Sequence, residues 1–151
     1  MGLQLIFFGI SRGLRQGDPL SPVLFLVMME VLSKMMKRAE GADLLRGFRA
    51  DGRRGEGVCV SHLLFANDTI LFCDADVEQI LHVWMLLLCF QAVTGSKVNV
   101  LNSEMVPIGE VHNVHALVEI LSCRIESLPM TYLGMPLGAR LLLFGILYWR
   151  K

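Results

Sequence analysis

Residues 61–73 read SHLLFANDTILFC, two apolar runs on either side of a short polar tip, Ala66-Asn67-Asp68. Residues 58–65 and 69–73 are rich in β-branched and large apolar side chains, the composition of strands. With so short a tip between them, they are expected to form a hairpin with Asp68 beyond the sheet edge. A sheet built on such a hairpin needs a covering layer, and the flanking sequence offers helices.

Residues 13–22, GLRQGDPLSP, form a loop, because two glycines and two prolines interrupt either periodic structure. It leads into a helix. Ser21 suits the N-cap, Pro22 the first helical position and Gly41 the stop. Val23, Leu24, Val27, Met28, Val31, Leu32, Met35 and Met36 recur at helical spacing, so this helix is expected to be largely buried. Lys34, Lys37 and Arg38 crowd its last turns, where the helix dipole favours them.

A second helix is expected from about Asp76 to Thr94, opened by the capping signal Asp76-x-x-Gln79 and closed by Gly95. Residues 79–96 contain no Asp, Glu, Lys or Arg and approach the length of a membrane span. His82, Gln91 and Thr94 inside the run, with caps at both ends, favour a buried helix of a compact domain over that alternative. VNV near residue 100 and TYLGMPLG at 131–138 read as short strands, and 111–122 as a shorter helix. Helix, hairpin, helix, strand, helix, strand is an α+β order, with helices gathered on one face of an antiparallel sheet. The Arg- and Gly-rich residues 42–57 read as an exposed connection, or alternatively as a phosphate-contacting arm.

At 151 residues and 54% hydrophobic, the chain suits one domain with a sizeable core, which excludes disorder for most of it. Fourteen basic residues balance fourteen acidic ones, so no global field draws in a polyanion. The distribution is uneven: residues 1–54 hold nine Lys/Arg against five Asp/Glu, and 55–151 hold five against nine. Any polyanion would meet the first half. Cys59, Cys73, Cys89 and Cys123 show no CxxC pair and are expected as buried reduced thiols, which fits an intracellular address. No basic region precedes the apolar N-terminal run, so a signal peptide is not expected, and Ile6 breaks the myristoylation pattern.

Four segments carry the chemistry. In RGLRQGDP, residues 12–19, the glycines let backbone approach a ligand while Arg15 and Gln16 offer donors to phosphate or base. The hairpin tip presents Asp68, and VTGSKVNVLNSE and SLPMTYLGMPLG follow downstream. Together and in this order they resemble the reverse transcriptase domain of non-LTR retrotransposons, most closely plant LINE-type sequences, over residues 11–139. That family carries SRGLRQGDPLSP, SHLLFADDT, SGLKVN…KSE and LPMTYLGLPLG at similar separations. The resemblance implies a polymerase palm, over which RNA template, DNA primer and deoxynucleotide meet.

It also implies a site. Phosphoryl transfer with two Mg²⁺ ions needs carboxylates that hold both metals. Asp68 matches a catalytic, metal-ligating aspartate, but Asn67 stands where its partner aspartate is expected. An amide leaves one negative charge missing, so Mg²⁺ binding should be impaired. A third aspartate belongs to an earlier strand. The fingers, that first palm strand and the thumb are expected to be missing, leaving a palm fragment over 1–139 and a divergent tail over 140–151. Arg15, Gln16, Gly17 and Lys97 match nucleotide- or template-binding positions, while a second lysine of the family is Asn102 here. Residues 132–138 match a strand that supports the primer grip, or simply pack.

The resulting expectation is a catalytically inactive reverse transcriptase remnant. A nucleic-acid-binding module without turnover and a membrane-associated small protein are the alternatives, although no membrane partner is expected. With a mean hydropathy of +0.53, surfaces left bare should be apolar and solubility poor.

Overall fold

A computed structural model describes residues 3–10, 19–50, 57–65, 68–132 and 135–137. Along the chain these are strand β1 (Leu3–Ile10), helix α1 (Ser21–Gly41), strands β2 (Phe48–Ala50), β3 (Val58–Val60), β4 (His62–Phe65) and β5 (Asp68–Asp74), and helix α2 (Val77–Thr94). Strand β6 (Val98–Asn99), a 3₁₀ turn (Val100–Asn102), β7 (Glu104–Ile108), helix α3 (Val114–Leu121), β8 (Arg124–Ile125), β9 (Met130–Tyr132) and β10 (Met135–Leu137) follow. The fold is α+β.

The main sheet runs β4-β5-β1-β7-β8, with β6 also beside β1. Its pairs are antiparallel except β7 with β8. With α1 between β1 and β4, and α2 between β5 and β7, the connectivity is a split β-α-β-β-α-β unit. Strand β1 is its centre: it matches β5 from Leu3 opposite Asp74 to Gly9 opposite Asp68, and β7 from Leu3 opposite Ile108 to Ile6 opposite Met105.

Side chains alternate across a strand, so Thr69, Leu71 and Cys73 share one face of β5 and Asp68, Ile70, Phe72 and Asp74 the other. Leu71, Cys73, Ile6 and Met105 join the buried cluster formed by Met29, Leu32 and Met36 of α1, Ile80, Val83, Leu87 and Phe90 of α2, and Leu117 and Leu121 of α3. The helices therefore cover one face, as the residue pattern predicts. On the other face Ile70, Phe72 and Val106 are buried, and the Phe72 ring lies 6.2 Å from that of Phe48 on β2.

Caps fix α2 where the sequence places it. The Asp76 carboxylate accepts from the backbone N–H groups of Glu78 and Gln79 at 2.9 and 3.3 Å, and Gly95 closes the helix at φ 69°, in the left-handed region that glycine tolerates. The helix is long and apolar enough to cross a membrane. Here Ile80, Val83, Leu86, Leu87 and Phe90 face the core, while Val77, Leu81, Met85, Leu88 and Val93 are exposed.

Several expectations need correction. Residues 3–10 form the central strand, although their apolar run carries no turn signal and no clean alternation. Helix α1 is buried only through Met29, Leu32, Met36 and Ala39; Val23, Leu24, Leu26 and Val27 are exposed, because helical spacing defines a face without supplying anything to cover it. Leu20 holds the N-cap position without a side-chain cap, and Ser21 is already helical. Residues 42–57 include β2, which pairs with β3, and the buried Leu45. The strand near residue 100 is shorter, with β7 after it, and TYLGMPLG contributes to a separate β9–β10 hairpin. Cys73 and Cys123 are buried thiols, but Cys59 and Cys89 are exposed.

Candidate active site

Asp68 opens β5 at one end of the main sheet and is half-buried on the face away from the helices. The run Ile70 to Cys73 behind it is buried, which anchors its backbone. Its register partner on β4 is Phe65, and on β1 it is Gly9. Gly9 in turn matches Asn99 on β6. A row Phe65-Asp68-Gly9-Asn99 thus crosses the sheet with one carboxylate in it. Strand β1, LQLIFFGI, contains no acidic residue at all. The next acid along β5, Asp74, is six residues away, or about 20 Å at 3.3 Å per residue.

Lys97 is exposed and immediately precedes β6, whose Val98 matches Ile10. The structure therefore brings Lys97 to the Asp68 end of the sheet, with β1 between β5 and β6. Asn67, Arg15, Gln16 and Gly17 lie outside the described residues, as do residues 140–151. Asn102 is exposed in the 3₁₀ turn. Among the described residues, no group of three or more His, Cys, Asp and Glu is arranged to hold a metal ion. Among the described residues, Asp68 is the one carboxylate in that row, whereas a Mg²⁺ pair needs several charged oxygens around ions roughly 4 Å apart.

A second constellation escaped the sequence reading. His62 Nδ1 lies 2.9 Å from Ser61 Oγ, and its Nε2 lies 2.9 Å from Ser33 Oγ on α1. Burial holds the imidazole below the usual histidine pKa, with Glu40 opposing and Lys37 reinforcing the shift, so it is neutral at pH 7. The arrangement pairs a hydroxyl with a possible base, but Ser33 sits inside a helix whose N–H groups are taken by intrahelical bonds and so cannot serve as oxyanion donors. The trio ties α1 to β4. Its partners are 29 residues apart, and no local motif announces them.

At the Asp74 end of β5, a cleft of about 1080 Å³ is lined by Glu40, Leu45, Phe48, Cys59, Asp74 and Ile108 among others. The Cys59 thiol donates to the Glu40 carboxylate at 3.5 Å; partial burial and that bond push its pKa up, so it stays protonated. Burial also pushes Cys73 up to about 12 and Cys123 up to about 11, which removes both as nucleophiles at neutral pH.

No protein-family model matches the chain. It is 51% identical over 59 residues to an uncharacterized mitochondrial protein of Arabidopsis thaliana, a stretch that is 39% of this chain and 46% of that protein. It is 33% identical over 70 residues to the retrovirus-related Pol polyprotein from type-1 retrotransposable element R2 of Popillia japonica, covering 46% of this chain and 10% of the polyprotein. The chain thus spans about half the length of one relative and a tenth of the other. The second similarity supports a retroelement-related origin.

Proposed function

We propose that the chain is a palm remnant of a LINE-type reverse transcriptase that does not polymerise. The observation that carries this reading is the register of β1 on β5: beside Asp68 stands Gly9, on a strand without a carboxylate. In-line transfer of a nucleotidyl group needs one metal to activate the primer hydroxyl and another to neutralise pyrophosphate. Asp68, with Asn67 as its chain neighbour, supplies too little negative charge for that pair, so Mg²⁺ binding is weak. Purified protein given primed RNA template, deoxynucleotides and Mg²⁺ or Mn²⁺ should extend no primer, and Asn67→Asp alone should not restore extension. Extension by the unaltered chain would overturn the proposal.

A weaker second reading is retention of template RNA or primer DNA without turnover. It is favoured by the excess of about four positive charges in residues 1–54 and by the exposed Lys37, Arg38 and Arg49. Single-stranded oligonucleotide affinity should then fall steeply with salt, with a log–log slope of about −3 for four phosphate contacts. A flat salt response would eliminate it.

A further inference from the structure

Helices α1 and α2 are apolar on the side turned away from the core as well as on the side turned toward it. Val23, Leu24 and Val27 on α1, and Leu81, Met85 and Leu88 on α2, recur at helical spacing and are 43–61% exposed. Just past α2, the Ser96 hydroxyl donates to Met28 Sδ at 3.7 Å, so the end of α2 lies beside the first half of α1 and the two sets form one face. Residues 19–29 and 79–96 hold no Asp, Glu, Lys or Arg, whereas an ordinary surface helix turns charged side chains to water. With Leu20 and Val93, the face presents on the order of 800 Å² of aliphatic surface, above the roughly 300–600 Å² of the largest apolar patch on a typical monomer. It matches the roughly 800 Å² that each partner buries in a standard stable interface.

We propose that the outward face of α1 and α2 pairs with the same face of a second copy of this chain, forming a two-fold dimer. A two-fold contact sets one patch against itself, and a patch without charges tolerates that anywhere along its length. The exposed area is enough for such a dimer without help from any other element. A lipid surface is the poorer match. Faces that lie on membranes are rimmed by Lys and Arg, whereas the charges bounding this one are of both signs: Glu30 pairs with Lys34 at 3.5 Å beyond Val27, and Glu78 and Lys97 stand at the two ends of α2. A different protein would have to bring a matching apolar face, and a second copy already carries one. Association of this kind depends on the helix layer alone and is independent of polymerase ancestry.

Sedimentation equilibrium of the full chain over roughly 1–100 μM should show a species of twice the 16.9 kDa chain mass that dissociates on dilution. Each substitution occurs twice in a two-fold interface. Met85→Glu on α2 and Val27→Glu on α1 should therefore each raise the dissociation constant at least about tenfold, with the far-UV circular dichroism of the unaltered chain retained. Val58→Glu, at an equally exposed aliphatic on β3 outside this face, should leave the dissociation constant unchanged. Neutral phosphatidylcholine vesicles should not carry the protein upward in a flotation gradient. A monomer at every concentration, oligomers larger than two, a dimer that survives both glutamates, equal weakening by Val58→Glu, or flotation with the vesicles would each overturn the proposal.

Discussion

Gly9 and Asp68 face one another across the β1–β5 pair, and directly opposed residues project to the same side of a sheet. A carboxylate introduced at Gly9 would therefore join Asp68 on the face away from the helices. Calorimetric titration should find weak Mn²⁺ binding in the unaltered chain, and binding at least about tenfold tighter in the Gly9→Asp/Asn67→Asp double variant than in either single one. Equal affinities across the four proteins would break the proposed link between carboxylate number and metal occupancy.

Thr69 carries an unsatisfied hydroxyl into the core. Its Oγ1 is buried on the helix-facing side of β5 without a hydrogen-bond partner. Thr69→Val keeps the shape and removes the stranded hydroxyl, so it should stabilise the fold by about 1 kcal/mol. A urea midpoint shifted downward would count against that.

The His62 trio makes stability depend on pH in a defined direction. Because burial lowers the folded-state pKa, the unfolded chain takes up a proton first as pH falls. The contribution is fully present above the unfolded value of about 6.5 and is lost as pH drops from there through the folded pKa. Melting temperatures measured between pH 7.5 and 5 should decline in the unaltered chain, and less steeply in His62→Gln. Parallel declines would remove His62 as the cause.

Two glycines separate local strain from helix propensity. A Cβ on Gly47 would sit 2.6 Å from the Val60 carbonyl oxygen, where only backbone movement can relieve the clash. Gly47→Ala should cost about 1–3 kcal/mol. A Cβ on Gly41, the last residue of α1, meets nothing within 4 Å, so Gly41→Ala should be neutral or stabilising by up to about 1 kcal/mol. Chemical denaturation of both variants would expose any reversal of that order.

The thiols should fall into two classes. Cys89 and Cys59 are exposed and should react with an aromatic disulfide reagent in the folded protein, Cys59 being slowed by its bond to Glu40. Cys73 and Cys123 should react only after denaturant is added. Four fast thiols in native buffer would mean that the core around β5 and α3 is not closed.

Features encoded by neighbours in sequence were legible before the fold was known. Asp76, Gln79 and Gly95 mark the ends of α2 within one turn of each terminus, and the short tip between two apolar runs marks the β4–β5 hairpin. Its first arm, expected over 58–65, is nevertheless divided between β3 and β4, and Asp68 pairs inside β5 instead of standing beyond the sheet edge. Features that depend on distant partners were not. Gln4 interrupts the apolar run of β1, and its strand conformation follows from β5 and β7, which lie far along the chain. The same holds for Gly9 and Asn99, the residues that decide what surrounds Asp68, and for Ser33 beside His62. The outward side of α1 was misread because Leu24 and Val27 keep helical spacing whether or not another surface lies over them.

The place of β1 in the sheet has a consequence for synthesis. Leu3 is matched with Ile108, so the ribosome makes the innermost strand about a hundred residues before its last neighbour emerges. At roughly 5–20 residues per second, that interval is about 5–20 s, and until the β4–β5 hairpin emerges, roughly two-thirds of the way through it, LQLIFFGI has no partner strand. Long-range pairing of this kind folds slowly and leaves the edges of β1 bare until β5, and then β7, are made.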